Sequence, residues 1–218
     1  MALRPQVGAG TLARRAQETP RYGDAMPTFD LQRFTADCRD ALREGTPERA
    51  VREVLASAVA DAPAVLRGLG EPRRADIQRL HHSPELTILN VVWAPRMTLM
   101  PHDHRMWAAI GIYSGREDNI FWRRVGGNDL RKIEAAGARS LSNGDVVSLG
   151  RDIIHSVTNP IPRLTAAIHI YGGDFFTQPR SEWDPESLLE QPFDVQKTQR
   201  LFEEANARSA GYSSTRLS

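Results

Sequence analysis

Between residues 86 and 173 the chain breaks into short apolar pieces that leave little choice of fold. "LTILNVVWAP", "MTLMPHDH", "MWAAIGIYSG", "NIFWRRVGG", "LRKIEAAGA", "GDVVSLG", "DIIHSVTN" and "RLTAAIHIYGG" are rich in β-branched or aromatic residues and are cut by Gly, Pro and Asn. Strands this short must pair their backbone groups with neighbours, so about eight at such spacing predict a β-sandwich or a closed barrel. The preceding segment reads differently. Phe34, Cys38, Ala41 and Leu42 recur at helical intervals before Gly45, and "TPERAVREVLASAVADA" starts with Thr46 as N-cap and Pro47 at the first helical position. Val51, Val54, Leu55 and Ala58 form an apolar stripe on that second helix. A charged helix, "DVQKTQRLFEEANARSA", closes the chain, with Leu201 and Phe202 facing inward.

The expected organisation is a disordered tail over 1–26, a helical extension over 27–84 that packs on the barrel, the barrel over 85–175, and a C-terminal extension with its helix over 176–218. The tail carries Arg4, Arg14, Arg15 and Arg21 with no acidic residue before Glu18, and has no secretory apolar core. Met26 is an alternative start. A formal net charge of +1 gives no long-range attraction to nucleic acid or an acidic membrane. No apolar run is long enough to span a bilayer. One cysteine, Cys38, excludes an intrachain disulfide and any Cys-rich zinc cluster, which makes the reducing cytoplasm the expected compartment.

Four of the six histidines fall in the β region: His102, His104, His155 and His169. Residues two apart in a strand share a face, so His102 and His104 project together. In a closed barrel, inward residues of other strands meet them, and His155 follows a turn at Asn143–Gly144–Asp145. Three imidazoles would hold a divalent ion with positions left open. The H-x-H pair alone is a weak signal, since composition produces it often.

The segments around these residues resemble the two motifs of the cupin superfamily. His102, His104 and the closing Gly115 match the first motif; Gly144, His155 and Asn159 match the second, with Gly150 and Asp152 in place of its Pro and Gly. Arg96 replaces the first glycine of the opening motif, and Ala108 stands where many cupins carry a glutamate ligand. The resemblance implies a mainly β fold, the double-stranded β-helix or jelly-roll barrel, here with N-terminal helices and a C-terminal helix. It further implies a trio of neutral ligands, His102, His104 and His155, on Fe2+ or another divalent metal. Such a site keeps the ion's full charge for an anionic substrate.

Within the cupins this looks like the cysteine dioxygenase branch, the thiol dioxygenases. "AAIHIYGG" is similar to that branch's strand with His and Tyr two residues apart, which implies that His169 and Tyr171 act beside substrate and oxygen. Ala167 replaces the branch's serine, and no cysteine stands near Ala109 for a Cys–Tyr crosslink. A substrate carboxylate would need an arginine, and Arg79 is the nearest upstream candidate, with Arg123 and Arg124 as others. Trp107 and Tyr113 are candidate pocket walls. Glu117 and Asp118, in "YSGREDN", read as a solvated turn, and His81 and His82 as surface residues. The implied activity is oxidation of a small thiol, of cysteine or mercapto-acid type, to its sulfinate by dioxygen. The alternatives are metal-dependent action on another small anion such as a β-diketone, and a non-enzymatic ligand-binding cupin. No nucleic-acid or membrane partner is expected, and the chain is expected to be a monomer or homodimer.

Overall fold

The computed structural model describes residues 26–126 and 131–214, with side chains through 209. Apart from Met26, the expected tail lies outside the described residues. The helical segment holds three helices: α1 (Leu31–Ala41), α2 (Pro47–Val59) and α3 (Ala62–Leu69). The Asp30 carboxylate caps α1 by accepting from the backbone N–H groups of Gln32 and Arg33. Thr46 occupies the N-cap of α2, but its side chain makes no capping bond. The second helix of the sequence reading is interrupted after Val59. Asp61 caps a new start, its side chain accepting from Ala64 N, and Pro63 lies in the first turn of α3.

Eleven strands follow among the described residues: β1 (Asp76–His82), β2 (Thr87–Trp93), β3 (Thr98–Asp103), β4 (Ala108–Ser114), β5 (Arg116–Arg124), β6 (Ile133–Ser142), β7 (Val146–Leu149), β8 (Ile154–Thr158), β9 (Thr165–Tyr171), β10 (Ser181–Trp183) and β11 (Glu190–Pro192). The last helix, α4, spans Val195–Ser214. One sheet has the order β1-β2-β9-β4-β7 and the other β11-β10-β3-β8-β5-β6. Sequential strands thus change sheets repeatedly from β2 to β9, with every pairing antiparallel. This is the jelly-roll arrangement expected from the motifs. The 27–84 segment is not wholly helical: β1 is an edge strand paired to β2. The 176–218 segment likewise contributes β10 and β11 before its helix. No helix among the described residues is long and apolar enough to cross a membrane.

Inside the first sheet β2 and β9 are buried on both faces, which is why they read as nearly unbroken apolar runs. Alternation divides β9: Ile168 and Ile170 point to the helices, while Ala167 and Tyr171 point to the interior. Leu55 and Val59 of α2 cover the outer face, where Gly111 of β4 lets them approach; a Cβ there would sit 2.9 Å from Leu55 Cγ. Asn159 pins the corner between β8 and β9. Its amide donates to the carbonyls of Trp93, Ala94 and Arg163, and its oxygen accepts from Ile161 N and Thr165 Oγ1. The asparagine of the second motif is therefore a buried structural clamp.

Glu190 joins β11 to β5. It accepts from both terminal nitrogens of Arg124, at 2.5 and 2.8 Å, and from Ser181 Oγ at 2.6 Å. Hydrogen bonding from Arg124 chiefly, then from Ser181, holds its carboxyl down at about 2 against an ordinary 4.5. A depressed carboxyl stabilises the fold fully above its unfolded value and loses that contribution as pH falls through its folded one. Glu190→Gln is expected to cost about 1–2 kcal/mol at pH 7. The gap from wild type in urea unfolding should narrow between pH 5 and pH 3; an equal gap at both would contradict the assignment.

Candidate metal centre

His102 and His155 are direct cross-strand partners of β3 and β8, so their side chains leave the sheet on the same face. His104 lies one residue beyond β3, and the chain turns there: Arg105 has φ 55°, a left-handed conformation costing a non-glycine residue about 1–2 kcal/mol. Asp103 holds that turn from the opposite face, with Arg105 Nε 2.6 Å away and Ser181 N donating to it at 2.8 Å. The result is convergence. His104 Nε2 is 3.2 Å from His102 Nε2 and 3.3 Å from His155 Nε2, and all three ligating atoms lie within 4.8 Å of one another. Nitrogens about 2.1 Å from a common ion are separated by about 3.0 Å in octahedral and 3.4 Å in tetrahedral coordination. The observed spacings fit a single divalent cation.

Ring chemistry points the same way. His102 Nδ1 must donate to the Met100 carbonyl, 2.9 Å away, because a carbonyl only accepts; its Nε2 is then a bare lone pair facing the centre. His155 Nδ1 lies 2.7 Å from Asn119 Oδ1 and donates to it in the same sense. One proton on His104 could satisfy one of the two facing lone pairs and not both. All three rings are buried, and desolvation keeps them neutral: it lowers His102 to about 4 and drives His104 and His155 well down, with the neighbouring imidazoles adding to the effect. No carboxylate belongs to the group, in keeping with Ala108 on the interior face of β4.

The trio opens into a cavity of about 570 Å³. His169 and Tyr171 share the interior face of β9, with His169 Nδ1 3.1 Å from the Tyr171 hydroxyl. The Tyr171 ring packs edge-on to His104 at 5.0 Å, and burial raises its phenol, which therefore stays protonated. Helix α4 covers one side: Phe202 is buried against Trp93 at 5.5 Å, and Thr198 lines the cavity. The side-chain amide of Asn206 ties α4 to both backbone groups of Ala75.

Several readings of the sequence need correction here. Arg79 is exposed on edge strand β1, with its guanidinium 5.9 Å from the Phe176 ring, and does not line the cavity. Tyr113 points to the outer face of β4, buried among the helices with its hydroxyl donating to Asn90 Oδ1 at 2.8 Å. Trp107 lies against Gly172, where a Cβ would come within 2.0 Å of the indole. It borders a separate cleft of about 580 Å³ with Arg49 and Arg52, away from the histidines. Arg123 and Arg124 are engaged with Glu134 and Glu190. His81 and His82 sit in edge strand β1, where His82 is at the surface as expected and pairs with Asp174 at 2.8 Å, while His81 is half-buried. Glu117 is no solvated turn residue: it is fully buried at the start of β5, while Asp118 pairs with Arg116 near the surface.

Sequence reasoning missed Arg180. Its guanidinium lies between two rings, 3.8 Å from Phe175 and 4.2 Å from Phe193, and burial lowers it only to about 10, so it stays charged. Its Nη1 is buried and has no hydrogen-bond partner. His169 Nε2 and Thr198 Oγ1 share that condition, and all three residues line the same cavity. Buried polar atoms are ordinarily paired, so three unpaired ones around one space mark a site for a polar ligand.

No known family model matches the chain. Among solved structures it is similar to an RmlC-like cupin family protein with a double-stranded β-helix fold from Methanocaldococcus jannaschii (TM-score 0.41, 9% identity, covering 49% of this chain and 87% of that one). It is also similar to a cupin superfamily protein from Desulfitobacterium hafniense DCB-2 (TM-score 0.38, 16% identity, 52% and 88%). The neighbours are cupin-type double-stranded β-helix proteins. They include oxalate decarboxylase from Bacillus subtilis (TM-score 0.36, 14% identity, 44% and 23%). These likenesses concern the cupin-type barrel and carry no chemistry to this chain.

One divalent ion per chain is expected to bind at the trio. At free metal a hundredfold above Kd it should stabilise the fold by about 2.7 kcal/mol, read as a rise in Tm that EDTA reverses. His104→Ala should abolish the rise; a metal-induced shift surviving that change would place the ion elsewhere.

Proposed function

We propose that the protein is a metal-dependent dioxygenase that oxidises a small carboxylate-bearing thiol to its sulfinate. What carries the reading is the pairing, in one cavity, of three neutral imidazoles with an arginine whose Nη1 has no partner. Ferrous iron in the trio would supply the redox chemistry and lower the pKa of a thiol bound to it. Both atoms of dioxygen end on sulfur, and the thiol proton is released. The protein's own groups do the rest. Arg180 grips the substrate carboxylate through its unpaired nitrogen and is kept from swinging by Phe175 and Phe193. The hydrogen bond between Tyr171 Oη and His169 Nδ1 places an exchangeable proton in the cavity next to His104, available to a bound substrate. Phe175, Phe193 and Phe202 exclude water from the charged groups, which strengthens their interactions.

Oxygen uptake by the Fe2+-loaded protein with 3-mercaptopropionate, cysteine, cysteamine and acetylacetone tests this reading. Uptake with sulfinate formation is expected for the two carboxylated thiols. Carbon–carbon cleavage of acetylacetone would replace the thiol by an enolate, and tight ligand binding without turnover would leave a binding protein. Arg180→Gln is expected to raise KM for the best carboxylated thiol about 10–100-fold, the worth of a charge-assisted hydrogen bond, with little change for cysteamine.

A further inference from the structure

The fully buried Glu117 is linked to the trio by a chain of hydrogen bonds whose polarity is fixed at one end. Trp93 Nε1–H, which can only donate, gives its proton to Glu117 Oε2 at 2.9 Å. Glu117 Oε1 accepts from the Asn119 amide at 2.9 Å. With its NH2 turned to that carboxylate, Asn119 presents its carbonyl oxygen to His155 Nδ1 at 2.7 Å. His155 must then carry its proton on Nδ1, which leaves Nε2 bare toward His104 and the centre.

We propose that Glu117 is a positioning residue that sets the tautomer of His155 through Asn119, and so makes His155 a metal ligand. A carboxylate that only accepts is what gives the chain its direction. The proposal rests on the reading that the trio holds a divalent ion. The same carboxylate faces His169, with Oε2 3.8 Å from the unpartnered Nε2.

An isosteric change should reverse the relay rather than merely weaken it. In Glu117→Gln the new amide oxygen must face the Trp93 N–H, so its NH2 faces Asn119. Asn119 then turns its oxygen to residue 117 and its NH2 to His155 Nδ1. That nitrogen becomes the acceptor, and the proton moves to Nε2, where it blocks the metal. Adding Asn119→Asp should repair the chain, because a carboxylate at 119 accepts from both the glutamine and His155 Nδ1–H. The negative charge then sits one link closer to the ligand.

Two readouts independent of turnover test the proposal. The first is Co2+ affinity of the metal-free full chain, titrated by visible absorption against a chelator. Glu117→Gln is expected to bind about 10–100-fold more weakly than wild type, and Glu117→Gln with Asn119→Asp to recover to within about threefold. Wild-type affinity in the single variant, or a double variant as weak as the single, overturns the proposal. The second is the 15N signature of His155 in the metal-free wild type, which does not depend on any variant folding. A proton on Nδ1 is expected, and one on Nε2 overturns the relay. A wild type that takes up no divalent ion would remove the metal reading while the tautomer still decides the relay. Absence of thiol oxidation would touch neither readout.

Discussion

His102 and His155 both turn a bare Nε2 lone pair on His104 Nε2, at 3.2 and 3.3 Å, and a single ring proton there can serve only one of them. Each nitrogen has lost its hydration, and protonation, the usual escape, is opposed by the same burial. The rest of the molecule can be read as what keeps the three rings in place. The register of β3 on β8 sets His102 opposite His155, the strained turn at Arg105 swings His104 inward, and Met100 and Asn119 hold the outer nitrogens. A divalent ion would satisfy all three nitrogens at once.

Rigidity comes from how the first sheet is enclosed. It is covered on one side by α1–α3 and faces the second sheet on the other, so β9 is apolar wherever it meets the helices. That freedom from solvent lets His169 and Tyr171 occupy interior positions of the same strand without disturbing its pairing to β2 and β4. The cavity is not finished by the barrel alone. Arg180, just before β10, and Phe202 on α4 both come from the segment after the last barrel strand, and they decide what charge and shape the cavity accepts.

The difference between local and distant information explains what could be read from the chain. The barrel was readable because strand alternation and turn residues are local, and His102, His104 and His155 because their spacing matches a recurring pattern. Tyr113 misled because an aromatic in a strand buried on both faces gives no sign of which side it occupies; pairing of β4 with β7 and β9 decides that, and Trp107, just before β4, is turned against Gly172. Glu117 misled because "GRED" has the composition of a solvated turn, yet Trp93 and Asn119, one of them 24 positions away, supply donors for its carboxylate. Arg180 lies in a stretch without periodicity. Its role depends on Phe175 and Phe193, 18 positions apart on either side of the β10–β11 pair and brought together only in space.

Charge around the cavity joins these separate pieces. A divalent ion on three neutral imidazoles keeps both its charges, Arg180 adds a third, and the buried Glu117 offsets one. Two positive charges then remain in a space walled by Phe175, Phe193 and Phe202, where low dielectric makes an uncompensated charge costly. A monoanion would leave one uncompensated. A small dianion, with one end a soft anionic donor for the metal and the other a carboxylate for the guanidinium, brings the sum to neutrality. A mercapto acid bound as its thiolate has that charge, and the trio and Arg180 line the one cavity that would receive its two anionic ends.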